Sequence, residues 1–314
     1  MLNSWANRFI QLIIVMFLLS IVTFALMKLA PGDPVLAILR ASDGALSQDD
    51  QEAVRESLGL NRPVYEQYGD WLTKVVQLDW GYSMANNRDV WEMLIERLPA
   101  TIYLSLGAML VIVLFSFPLG VLAAKYRGKA PDRLSRMVAL LGASVPSFWL
   151  ALLLIYVFAY QLNWLPTMGS GSLRHLVLPS LTLGFVMTPE YIRLLRAGLL
   201  DTFSQEYIRA ARARGIAEWR ITIRHAMRAA LLPIVAVSGI SLGALMAGSV
   251  VTESIFGWPG LGSLAIEAIR LRDYPVVQGY VLFCGLFFMA ANWLSDLGAA
   301  ALDPRIRMQK GRRV

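Results

Sequence analysis

Six apolar stretches, at about 9–29, 101–124, 134–160, 176–197, 231–252 and 276–300, dominate this sequence. Each is close to the ~20 residues that a bilayer core demands of a helix. In lipid every backbone N–H and C=O must find its partner within the protein, so only helices and closed barrels can span. The runs are continuous rather than alternating, which excludes a barrel. The expected fold is therefore an all-α polytopic membrane protein with six transmembrane helices. Composition agrees, since only 16% of the residues are charged against about a quarter in soluble domains.

The net charge of +7 could suggest a nucleic-acid surface, but its placement argues otherwise. With the N-terminus in the cytoplasm, nineteen of the 29 Lys and Arg fall in cytoplasmic segments, eight of them arginines between Arg193 and Arg228. That is the positive-inside pattern, and it predicts both termini in the cytoplasm with membrane lipid, not nucleic acid, as the surrounding partner. The single cysteine, Cys284, allows no disulfide framework. The first run is too long for a signal-peptide core and lacks an A-x-A-like end, so it reads as a retained helix.

Four regions follow from this layout. Residues 1–30 hold the N-terminus and first span, and 31–100 form an extracytoplasmic helical segment. Residues 101–302 form a five-helix core with a cytoplasmic loop at 198–230 and an outer re-entrant segment at 252–275, and 303–314 form a basic tail. The outer segment shows helix grammar in three places. Ser47 and Asp50 make a near capping box with Gly59 as a stop. Pro63 precedes Val64, Tyr68, Trp71, Leu72 and Val75 at helical spacing, and Val90, Trp91, Leu94, Ile95 and Leu98 suggest a third short helix. Phe256-Gly257-Trp258-Pro259-Gly260-Leu261-Gly262 cannot be a regular helix. Pro118, Pro146 and Pro189 are expected to kink their spans.

The sequence lacks the parts of a catalyst. Gly128-Lys129 is followed by Ala130, so there is no P-loop, and no H-E-x-x-H occurs. No catalytic residue and no cofactor site are read, and the chain is expected not to be an enzyme.

The informative stretch is Glu206-Tyr207-Ile208-Arg209-Ala210-Ala211-Arg212-Ala213-Arg214-Gly215, followed by Arg224-His225-Ala226 and Leu231-Leu232-Pro233. Tyr207, Ala210, Ala211 and Arg214 stand at i, i+3, i+4 and i+7, so small residues share one helical face, and Gly215 can end the helix. Such a helix suits docking into a groove of another protein. It equally suits an interfacial helix held by anionic lipid.

The spacing Ala210-Ala211-x3-Gly215 with Leu232-Pro233 resembles the cytoplasmic loop of ABC-importer permeases. Arg209 stands where many of them carry Glu, as in the dipeptide/oligopeptide/nickel branch. Pro31-Gly32-Asp33-Pro34, Leu58-Gly59-Leu60, Gln67-Tyr68, Ile255-Phe256, Trp258 to Gly262, Arg272 to Gln278 and Asp303 to Arg307 resemble that branch in order along the chain. Trp164-Leu165-Pro166, Met168-Gly169, His175 and Leu178-Pro179 look most like its nickel-import permeases.

The resemblance implies a type I ABC-importer permease in the bacterial inner membrane. Its partners would be a second homologous permease, two cytoplasmic ATPase subunits and an extracytoplasmic substrate-binding protein. It carries the ATPase-coupling role to Tyr207, Arg209, Ala210, Ala211, Arg212, Arg214 and Gly215. The cargo it suggests is nickel or a metal chelate, the alternatives being a dipeptide or oligopeptide permease and a stand-alone secondary carrier. Ionisable residues inside spans are translocation-path candidates: Glu190, Arg193, Glu253 and Asp296. Interhelical pairing near the interfaces is the rival role for these four. His175 is the one metal-ligand candidate, since imidazole suits Ni²⁺, but one histidine is not a site, and capping or anchoring the fourth span is the favoured reading.

Overall fold

A computed structural model describes residues 2–29, 52, 55, 56 and 61–302; among them there is no strand, only a bridge pairing Tyr82 with Asp89. The chain divides into two compact units, Met1–Thr101 with Pro259–Phe287, and Ile102–Trp258 with Phe288–Val314.

The first unit contains α1 (Leu2–Leu29), α2 (Val64–Val76), α10 (Leu261–Leu271) and the first parts of α3 (Val90–Lys125) and α11 (Tyr274–Leu302). Apolar side chains point outward along α1, among them Phe9, Ile10, Ile13, Ile14, Phe17 and Leu18, as on a lipid-facing helix. Its Phe24 turns inward and meets Tyr68 and Trp71 of α2 at ring distances of 5.4 and 5.6 Å. The helix expected after Pro63 is thus present, with its aromatic stripe against α1. The one expected between Ser47 and Gly59 lies largely outside the described residues. The core joins Val90 and Leu94 to Leu261, Leu264, Val276 and Phe283.

Two expectations are corrected by this architecture. Val90 to Leu98 do not form a separate short helix: α3 runs unbroken for 36 residues, through Pro99. A single missing N–H does not end a helix whose flanking turns are packed, and Asp89 caps the start by accepting from the Glu92 N–H at 2.9 Å. The run 134–160 is likewise not one helix. It forms α4 (Ala130–Ser144) and α5 (Ser147–Gln161), bent by 103° at the Val145-Pro146 break. Pro146 clashes with a continued helix and sets the extended backbone that starts α5.

The second unit holds α4, α5, α6 (Leu173–Phe203), α7 (Glu206–Ala213), α8 (Glu218–Ala247), α9 (Val250–Phe256) and the remainders of α3 and α11. Four described helices are long and apolar enough to cross a membrane, Ala6–Leu29, Val90–Lys125, Glu218–Ala247 and Tyr274–Leu302, and the bent pair makes up to five. Helix α6, with 31 residues, is long enough but carries Glu190, Arg193 and Arg196. It packs tightly: a Cβ on Gly184 would stand 2.6 Å from Val111 Cβ and 2.8 Å from the Ala108 carbonyl. Small residues let membrane helices approach in this way. Leu195 and Leu199 of α6 pack with Ala226, Ala230 and Ile234 of α8.

Candidate functional site

Helix α7 starts from the extended Gln205 and stops at Gly215, whose φ of +74° only glycine adopts without strain. The Gly215 N–H donates to the Arg212 carbonyl at 2.9 Å and the Ile216 N–H to the Ala211 carbonyl at 3.2 Å. These two bonds, with Ile216 packed beside Ala211, make a Schellman cap. The helix has two unlike faces. Ile208 and Ala211 are buried with Ile221, against Phe203 and Ile216. Tyr207, Arg209, Ala210, Arg214 and Gly215 are exposed, and no atom lies within 4 Å of where a Gly215 Cβ would stand.

Ala211, grouped with Ala210 by periodicity, therefore packs on its own chain. Arg212 is also held locally, donating to Glu218 through Nε at 2.7 Å and Nη2 at 3.4 Å while lying over the Phe203 ring. One short α-helical turn, Glu218–Arg220, leads into a π-helical turn, Ile221–Ala226, before the α-helix resumes.

The four span residues have different surroundings. Glu190 and Arg193 are exposed on α6, and Asp296 is exposed on α11. Glu253 is fully enclosed on α9, where its carboxylate accepts from the Ser249 hydroxyl at 2.6 Å. His175 sits half-buried in the first turn of α6, its Nδ1 3.0 Å from Ser172 Oγ and its ring against Gly169. Among the described residues no group of three or more His, Cys, Asp or Glu side chains is placed to hold a metal ion.

The irregular segment after α9 is anchored through its glycine. Gly257 takes a left-handed φ of +58°, and the Phe256 carbonyl accepts from the Gly169 N–H at 2.9 Å. Phe256 itself packs with Ala151 and Ala159 of α5, Leu178 of α6 and Leu165.

One constellation is not among the residues that the sequence pattern singles out. Asp132, in the first turn of α4 and 1% exposed, accepts from Arg196 of α6 at 2.8 and 3.2 Å. It also accepts from Arg136 at 3.2 Å and from the Gly128 N–H at 2.9 Å. A signal for it exists all the same: Asp132 is the lone carboxylate among five basic residues between Lys125 and Arg136.

The chain is thus a multi-pass helical one with an exposed basic helix, α7, between the long helices α6 and α8. Comparison with known proteins makes the class definite. Residues 116–308 match the family described as the binding-protein-dependent transport system inner membrane component, and residues 1–105 match its N-terminal companion. The glutathione transport system permease protein GsiC of Escherichia coli K12 is 40% identical over 307 residues, covering 98% of this chain and 99% of that one. The GsiC proteins of Shigella dysenteriae Sd197 and Shigella flexneri 8401 are similar to the same extent. Among solved structures, a chain of the inward-facing MetNI methionine ABC transporter superposes with a TM-score of 0.57 at 19% identity, covering 67% of this chain and 96% of that chain. A second crystal form of that transporter gives 0.55 at 18% identity.

The protein is thus the permease subunit of an ABC importer, with the type I permease fold. It belongs to the binding-protein-dependent transport system inner membrane component family, as an integral, multi-pass inner-membrane protein. The subunit transports and is not itself a catalyst; permeases of this kind work with a second permease, ATPases and a binding protein.

Proposed function

We propose that this chain forms half of the path for a small peptide of the glutathione type, driven by ATPase subunits that grip α7. The observation that carries the coupling part is the division of α7 into two faces. Ile208 and Ala211 anchor it to Ile221 and Phe203, while Tyr207, Ala210, Arg214 and Gly215 present a small-residue ridge with open space at its end. A ridge of that form fits a groove on a partner, and its rigid base would pass on any push. Both termini and this loop then lie in the cytoplasm, as the basic residues demand. ATP is bound and hydrolysed in the partner subunits.

The peptide cargo is favoured over nickel by the glutathione permeases, which this chain resembles along nearly its whole length. The case for nickel leans on the resemblance of the stretch from Trp164 to Pro179; within it His175, the one candidate ligand, has its Nδ1 engaged with Ser172. Glu190 and Arg193, exposed three residues apart on α6, offer one anion and one cation, which suits a zwitterionic peptide better than a bare cation. Polar groups of this kind within a span characteristically mark a substrate route. Glu253 is enclosed and bonded, so its role in such a route would be to hold α9 in shape.

The test uses the reconstituted complex. Gly215→Trp and Ala210→Trp each place an indole on the exposed ridge, and both are expected to cut ATP-driven uptake by more than about tenfold in a complex that still inserts. Uptake at the wild-type rate in both variants would sink the docking assignment.

A further inference from the structure

We infer that Asp132 and Arg196 are a positioning pair that obliges α4 to move with α6, so that a push on α7 reaches the segment around Phe256. The inference rests on the coupling role of α7 proposed above. The contacts on Asp132 are asymmetric. Arg136 belongs to α4 itself and its side chain is 60% exposed, so it ties α4 to nothing else. The Gly128 N–H comes from the turn that precedes α4. Arg196 alone of the three brings a charge from another helix, and it does so with two bonds, at 2.8 and 3.2 Å.

A buried carboxylate that loses its guanidinium is strongly penalised, because neither water nor a new partner replaces the charge. Apolar ridges can slide over one another in small steps. This pair cannot, and two helices joined by it shift together or not at all.

The pair also stands at a junction between two packed chains of contacts. On one side, two turns along α6 from Arg196, Phe203 packs against Ile208, Ala211 and Ile221, the buried base of α7. On the other side, α4 leads from Asp132 to Gly142, where a Cβ would stand 2.7 Å from Pro189 Cγ of α6. Beyond the 103° bend, α5 packs through Ala151 and Ala159 on Phe256, whose carbonyl holds the Gly169 N–H. Interfaces of this kind switch between discrete arrangements rather than deform smoothly. The bent pair α4–α5 thus connects the base of α7 to the Phe256–Gly169 contact, and the Asp132–Arg196 pair sets whether it follows α6.

The discriminating quantity is cargo moved per ATP hydrolysed by the reconstituted complex, with labelled glutathione as the probe. Asp132→Asn keeps the shape and an acceptor for Gly128 but removes the charge. It is expected to leave ATP hydrolysis near wild type while cargo per ATP falls about tenfold. Arg196→Gln is expected to do the same, and the double variant to be no worse than either single, since both break one interaction. Arg136→Gln is expected to match wild type. Where Asp132→Asn does not assemble, Arg196→Lys carries the test with a smaller loss, because it keeps the charge and gives up the fork.

A pair that only supports folding would lower assembled complex, hydrolysis and transport together, with the ratio unchanged; that result, or a wild-type ratio in Asp132→Asn, overturns the inference. Gly215→Trp in the same assay separates the two claims. If it blocks transport while Asp132→Asn couples normally, the pair fails and the α7 role stands. If it transports fully, both fall.

Discussion

Single residues set the local architecture through bonds that join distant parts of the chain. Asp273 is 2% exposed, and its carboxylate accepts from the Ser83 hydroxyl and from the Met84 N–H at 3.0 Å. Ser83 in turn accepts from the N–H groups of Ala85 and Asn86, each at 3.2 Å. One carboxylate therefore orders the turn that leads into α3. Asp273→Ala strands a buried hydroxyl and a half-buried N–H, and is expected to cost about 2 kcal/mol, read as a lower unfolding temperature of the detergent-solubilised protein. Ser83→Ala is expected to cost less, about 1 kcal/mol, because Asp273 keeps the Met84 bond. A pair of variants as stable as wild type would contradict the clip. The sequence places Asp273 within a recognisable motif, but its partner is 190 positions away, and no local pattern reports such a distance. The same limit applies to Ala210 and Ala211. Periodicity puts both on one flank of α7, whereas the apolar neighbours Phe203, Ile216 and Ile221 decide which alanine turns inward.

At the scale of elements, hydropathy locates the long helices but not where they break. Pro99 lies inside an unbroken α3, while Pro146 separates α4 from α5 with a 103° bend. A proline alone does not decide between the two outcomes, because the cost of its missing N–H depends on what surrounds the turn. At Pro146 the preceding residue, Val145, takes extended backbone with ψ of 123°, as the proline ring favours. Helix pairing is also beyond periodicity, since it depends on where glycines meet a neighbour. At Gly184 a Cβ would be forced into both the Val111 side chain and the Ala108 backbone. Gly184→Ala is therefore expected to destabilise by about 2 kcal/mol through separation of α3 and α6, measured as a shift in thermal unfolding. Gly171, with nothing within 4 Å of its Cβ position, is the control, and Gly171→Ala is expected to unfold at the wild-type temperature. Equal midpoints for the two variants would show that α3 and α6 part without cost.

For the whole molecule, the helical architecture is legible because the bilayer constrains a sequence so strongly, whereas the permease class is legible through motifs such as Ala210-Ala211-x3-Gly215. Long apolar runs and the bias of arginines to alternate loops leave few architectures open. Helix α7, for which a coupling role is proposed above, is legible as a short basic helix bounded by Gly215. Cargo is not, since it depends on surfaces shared with partner chains, and the short motif from Trp164 to Pro179 that suggests nickel is outweighed by the full-length likeness to glutathione permeases. We propose that this permease moves a peptide under the drive of separate ATPase subunits. The most direct measurement is ATP-dependent accumulation of labelled glutathione in proteoliposomes holding the complete complex, with Ni²⁺ and short peptides as competitors. Uptake is expected to need the ATPase subunits, to fall when peptides compete and to ignore Ni²⁺. Accumulation of nickel without peptide competition, or uptake by this chain without its ATPases, would contradict the claim.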